Sequence, residues 1–108
     1  MNLLAMHCET QLGKTGLDAA TCQNLLAKLP DWEIKGIELT KTFRFADYYR
    51  TIAFVNALAF IANREDHHPD LSVHYSRVVV SFSTHDAGAL TLNDFICAAK
   101  TEALVAAA

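Results

Sequence analysis

Leu71-Ser72-Val73-His74-Tyr75-Ser76-Arg77-Val78-Val79-Val80-Ser81-Phe82 is the stretch that decides the fold. Leu71, Val73 and Tyr75 alternate with Ser72 and His74, and Val78, Val80 and Phe82 alternate with Val79 and Ser81. A period of two marks strands with one buried face. Only Ser76 and Arg77 separate the two runs, which predicts a hairpin closed by a two-residue turn. That turn sets Tyr75 opposite Val78, Val73 opposite Val80 and Leu71 opposite Phe82, three apolar pairs in one register. Carried outward, the same register sets His68 opposite His85, with Cβ atoms roughly 5 Å apart. Pro69 has no N–H to give, so regular pairing is expected to end beside it.

Upstream, Ile37, Leu39, Phe43 and Phe45 share one parity and Glu38, Thr40, Thr42 and Arg44 the other, predicting a half-buried strand with Lys41 as a polar intruder on the inner face. A short strand, Trp32 to Ile34, precedes it and turns near Lys35–Gly36. Between the strand pairs, Phe54, Leu58 and Ile61 form a helical stripe from about Asp47 to Asn63, widened by Ile52, Val55 and Ala59. A first helix is expected from Asp18 to Leu29, where Cys22, Leu25, Leu26 and Leu29 fall at helical spacing before Pro30. A last one runs from Thr91 to about Val105, with Thr91 and Asp94 in capping-box spacing. The order α-β-β-α-β-β-α predicts an α+β fold: a four-stranded antiparallel sheet with three helices packed on one face.

The chain has 108 residues, enough for a single domain spanning 1–108. Residues 1–14 lack periodicity and are expected to form a loose lead-in. With 52% apolar and 19% charged residues, the chain reads as globular, and its longest apolar stretch, Thr51 to Ala62, is too short to span a bilayer. No cation precedes Lys14, so no secretory signal is expected and a cytoplasmic location is the default. The net charge of −3 is spread without a basic run, which argues against nucleic-acid binding. Cys8, Cys22 and Cys97 form no C-x-x-C pair and read as buried hydrophobes or free thiols.

Three of the five histidines, His67, His68 and His85, sit where strands end. A lone strand-end histidine is most often a solvated surface residue. An adjacent pair followed by proline and brought near a third is different, because histidine is the side chain best matched to proton transfer near neutral pH. Zinc is the competing chemistry. It needs three or four well-aimed ligands, whereas neighbouring residues such as His67 and His68 point apart in extended chain. His74 reads as an exposed strand residue, and His7, in the unpatterned lead-in, supports no role. Glu65, Asp66, Asp70 and Asp86 read as a solvated loop around a helix end, with Asp66 and Asp86 the two that could orient an imidazole. Asp94 reads first as a cap residue and Trp32 as a core anchor.

The run Glu65-Asp66-His67-His68-Pro69-Asp70, followed by Tyr75, Ser83-Thr84-His85 and Asp94, resembles the pterin-4a-carbinolamine dehydratase family. The likeness extends from about Leu17 to Leu104 and includes Trp32 and the element order. It implies a hydro-lyase, 4a-hydroxytetrahydrobiopterin dehydratase, which converts a 4a-hydroxytetrahydropterin to the quinonoid dihydropterin and water during recycling of the tetrahydropterin. His67, His68 and His85 match the family's active-site histidines, while Pro69, Thr84, Asp86 and Asp94 match positions around the bound pterin. His67 and His85 are expected as the proton-transfer pair, with His68 a binding residue.

The resemblance implies no metal and no cofactor, since the pterin is the substrate. It also implies a homodimer or homotetramer, and a functional link to an aromatic amino acid hydroxylase. Two positions depart from the pattern: Asn63 stands where many members carry glutamate, and Ala89 where many carry glycine. Animal members also serve as dimerisation cofactors for a homeodomain transcription factor. A non-catalytic regulatory or dimerisation module of the same fold is therefore the alternative reading.

Overall fold

The computed structural model describes residues 2–11 and 15–106. Helices α1 (Ala19–Leu26), α2 (Tyr48–Glu65) and α3 (Leu92–Ala106) alternate with strands β1 (Glu33–Lys35), β2 (Glu38–Arg44), β3 (Asp70–Val73) and β4 (Arg77–Phe82). The strands form one antiparallel sheet in the order β1-β2-β4-β3. Leu39 and Phe43 of β2 and Val78, Val80 and Phe82 of β4 point to the helices and are buried, as their parity requires. Phe54 and Leu58 of α2, Phe95 and Ile96 of α3, and Cys22 and Leu25 of α1 complete one core with them. Trp32 lies in this core against Phe43 and Phe82, and its indole N–H reaches Glu102 (2.9 Å). The inner-face Lys41 is accommodated because its ammonium pairs with the same Glu102 carboxylate.

Several expected boundaries shift. Helix α1 starts on the Asp18 cap, whose carboxylate accepts from Thr21 N–H, but it stops at Leu26, short of Leu29. Tighter turns then carry Leu29 into the core, where it stays buried. Strand β1 begins one residue late, and Gly36 (φ 62°) with Ile37 makes a two-residue turn, so Ile37 is 46% exposed. Helix α2 runs two residues beyond Asn63, which puts Glu65 inside the helix and out of the predicted solvated loop.

The β3–β4 hairpin corrects the predicted register. Val73 pairs with Val78, Leu71 with Val80 and Asp70 with Ser81, so the turn is Tyr75–Ser76 and the Leu71–Phe82, Val73–Val80 and Tyr75–Val78 pairs do not form. The shift preserves parity, so β4 still buries Val78, Val80 and Phe82. Ser83 then lies across from His68 in the extrapolated register, in the place expected for His85. The ladder ends at Asp70, immediately after Pro69.

The largest departure is at the N-terminus. Residues 2–11 lie against α2 and α3, where a loose lead-in was expected. A single 3-10 turn, Leu3–Ala5, buries Leu3, and Leu4 O accepts from Lys100 Nζ (3.0 Å). Met1 and residues 12–14 of that lead-in lie outside the described residues.

Candidate active site

Helix α2 ends on Asp66, a non-glycine residue in the left-handed conformation (φ 50°) that aspartate tolerates. This reverses the chain at once, and His67 N–H closes the helix end on Ala62 O (3.1 Å). The reversal delivers the two histidines beside the end of β4. His67 faces inward: its side chain is 10% exposed, its ring lies parallel to Phe82, and Nε2 donates to Asp94 Oδ1 at 2.6 Å. His68 faces outward, with Nε2 on Asn63 Oδ1 (3.0 Å). Asn63, the departure from the family pattern, thus still sits within reach of a site histidine.

The second strip of the site follows β4. Thr84 is buried and makes an isolated bridge with Ala89, and the chain between them turns through His85, Asp86 and Gly88 (φ 62°). The turn exposes His85 and Asp86. A cavity of about 180 Å³ is bordered by Asp66, His67, His68, Ser83, Thr84, His85 and Asp86, so the three histidines share one concavity.

Asp94, which the resemblance places around the bound pterin, does not border the cavity. It is fully buried, behind His67. Its Oδ2 accepts from Thr84 Oγ1 (2.8 Å) and from Thr91 N–H (2.9 Å), the latter being one half of the capping box that the spacing predicted. Thr84 and Thr91 also share a hydroxyl contact of 2.8 Å. Cap and site are therefore one structure: the same carboxylate that starts α3 fixes the His67 ring. An acceptor-only partner holds the hydrogen on Nε2 and leaves Nδ1 as the lone pair of neutral His67. The Thr84 hydroxyl is committed to this buried network. Pro69 is half-buried beside the site, outside the residues that border the cavity.

Glu65 is the residue that sequence reasoning misplaced most. Its side chain is 2% exposed; Oε1 accepts from Cys8 N–H (2.7 Å) and Oε2 from His7 Nδ1 (2.8 Å), with Lys100 Nζ 3.9 Å away. Burial pushes the carboxyl up, but the Cys8 amide, the His7 bond and the Lys100 and His7 charges outweigh it and hold Glu65 below the ordinary glutamate value of 4.5. A lowered carboxyl contributes stability that is complete above the ordinary value and is lost as pH falls through the folded one. Glu65→Gln should therefore lower the urea midpoint at pH 7 and flatten its decline in acid. Parallel wild-type and variant curves against pH would refute this. His7, to which the sequence assigns nothing, is thus a partner of α2.

Cys8 Sγ lies 3.4 Å from Cys97 Sγ, and all three cysteines are free. The Cys8 contact and then burial push the Cys97 thiol well above its ordinary range, away from reactive thiolate. His74 is half-exposed and bonds Ser72 Oγ (2.9 Å). Among the described residues no group of three or more His, Cys, Asp or Glu side chains is arranged to hold a metal ion, and no helix is long and apolar enough to cross a membrane.

The family model for pterin 4 alpha carbinolamine dehydratase matches residues 15–104. A protein of Chromobacterium violaceum that bears the provisional name pterin-4-alpha-carbinolamine dehydratase is 70% identical over 104 residues, 96% of each chain. One of the same provisional name from Xanthomonas euvesicatoria pv. vesicatoria is 62% identical over 101 residues, 91% of this chain and 86% of its own. Among solved structures, a transcriptional coactivator/pterin dehydratase from Brucella melitensis superposes with a TM-score of 0.81 at 28% identity, over 83% of this chain and 98% of that one. A pterin dehydratase-like protein described as a RuBisCO assembly factor in the alpha-carboxysome gives 0.57 at 26% identity, over 68% and 84%.

Proposed function

The chain belongs to the pterin 4 alpha carbinolamine dehydratase family, and we propose that it is a hydro-lyase converting a 4a-hydroxytetrahydropterin to the quinonoid dihydropterin and water. The observation that carries this reading is His67 locked on buried Asp94 at the wall of a cavity that His68 and His85 also border. The pair contributes to the fold, and it also holds one imidazole in a single orientation at a cavity wall through a carboxylate taken out of water, which is what a proton-transfer site needs.

In the reaction the C4a–O bond breaks and N5 supplies the electron pair that replaces it. The departing oxygen takes a proton and leaves as water, while N5 loses its own proton. His67, with Nδ1 as its lone pair, receives the N5 proton; exposed His85 donates to the departing hydroxyl. His68, steered by Asn63, and Asp86 position the ring. Protons given and taken balance, so no redox partner, metal or organic cofactor is required.

The test is a stopped assay in which a pterin hydroxylase generates the carbinolamine in the presence of the purified chain. Dehydration should accelerate over the uncatalysed rate, and the acceleration should survive exhaustive chelation. No acceleration would refute the reading and favour a regulatory module. Loss on chelation, reversed by zinc or iron, would replace the proton-transfer mechanism with a metal one.

A further inference from the structure

The segment Cys8–Gln11 lies outside the residues that match the family model, and it is built into the molecule by buried polar side chains. Asn93 of α3 donates through Nδ2 to Glu9 O (2.6 Å) and accepts at Oδ1 from Glu9 N–H (3.0 Å), so one side-chain amide holds both backbone groups of Glu9. One residue earlier, Glu65 accepts from Cys8 N–H. Asn93, Glu65 and Lys100, all under 8% exposed, direct hydrogen bonds at this N-terminal chain. Polar groups are buried only where they find partners, and here that chain supplies them.

The consequence is spatial. A second cavity, about 380 Å³, is lined by Cys8 to Gln11 and, among others, by Asp66, His67, Thr84 and Asp86. Those last four residues also border the histidine cavity, so the two spaces share a wall. The histidine cavity alone, about 180 Å³, is smaller than the roughly 300–1,000 Å³ of sites that enclose a small ligand. A bicyclic substrate reacting at the histidines needs more room than this, and the second cavity adjoins them. Resting on the dehydratase reading, C4a and N5 lie at the histidines; C6 is bonded to N5, so a substituent on C6 leaves the reacting edge there. Thr10 offers it a hydroxyl, and Gln11 an amide whose nitrogen also donates to Glu9 O (3.0 Å).

We propose that Cys8–Gln11 forms a specificity wall of the active site that recognises a hydroxylated substituent at C6 of the pterin. The comparison is between two carbinolamines generated in situ, one with a 1,2-dihydroxypropyl group at C6 and one with methyl. In the Thr10→Ala, Gln11→Ala double variant, the ratio of kcat/KM for the dihydroxypropyl over the methyl substrate should fall about tenfold, through KM, as expected for one or two lost hydrogen bonds. Thr10 is exposed; Gln11 is half-buried and its amide donates to Glu9 O, a carbonyl that Asn93 also holds, so the segment stays anchored in the variant. Turnover of both substrates with an unchanged ratio overturns the wall alone. Absence of turnover of either substrate by the wild-type chain overturns the dehydratase reading and the wall with it.

Discussion

His67→Ala and His85→Ala should each lower the dehydration rate by about 100-fold or more, the scale of a lost general acid or base. The two variants are expected to differ in every other respect. His85 stands on an exposed turn with no described side-chain bond, so its removal should leave the unfolding midpoint unchanged. His67 is the donor to Asp94 Oδ1 and lies parallel to Phe82, so His67→Ala should also lower the midpoint. Free imidazole should restore part of the His67→Ala rate, because the vacated space opens onto the cavity. Unchanged turnover in both folded variants would remove these residues from the chemistry.

The fold was legible because parity and helical spacing are local signals. The register was not, for a reason the hairpin itself supplies. A turn at Ser76–Arg77 and one at Tyr75–Ser76 bury the same residues of β4 and pair valine with valine, so alternation cannot separate them. Contacts distant in sequence decide it. Thr51 Oγ1 of α2 donates to Tyr75 O (3.0 Å), Phe45 N–H donates to Ser76 O (2.8 Å), and the Tyr75 ring stacks on Tyr48. These hold Tyr75 in the turn and 69% exposed, where alternation had placed it in a strand.

The site divides along the same line. His67, His68 and His85 stood out because rare, titratable residues cluster where strands end. Glu65 did not, since a carboxylate at the end of an amphipathic helix is ordinarily solvated, and its partners His7 and Cys8 carry no pattern of their own. Asn93 was equally silent: its function is to hold a backbone more than eighty residues away, and backbone groups leave no trace in sequence. Asp94 was half legible. Its three-residue spacing from Thr91 announced a cap, but only the fold brings His67 and Thr84 to the same carboxylate.

That double role makes Asp94→Asn the most informative single substitution. The amide keeps the shape of the carboxylate but turns one acceptor into a donor, and it has two ways to sit. With nitrogen at the Oδ2 position it would face Thr91 N–H, a backbone donor that cannot turn away. With nitrogen at the Oδ1 position it faces His67 Nε2, which meets it by giving up its hydrogen. The second arrangement satisfies every partner, so the His67 proton moves to Nδ1 and the lone pair needed for the N5 proton is lost. The expected result is a fall in rate of about 10²–10⁴-fold, the range for losing a base or fixing the wrong tautomer. Stability should fall by only about 1 kcal/mol, since the hydrogen-bond count is preserved. Asp94→Ala should lose more, about 2–4 kcal/mol, because Thr91 N–H and His67 Nε2–H are left buried without acceptors, while the Thr84 hydroxyl can turn to Thr91 Oγ1. Nitrogen-15 shifts of His67 read the tautomer directly and urea midpoints read the stability. An Asp94→Asn variant with wild-type turnover would reduce the Asp94–His67 pair to a structural contact.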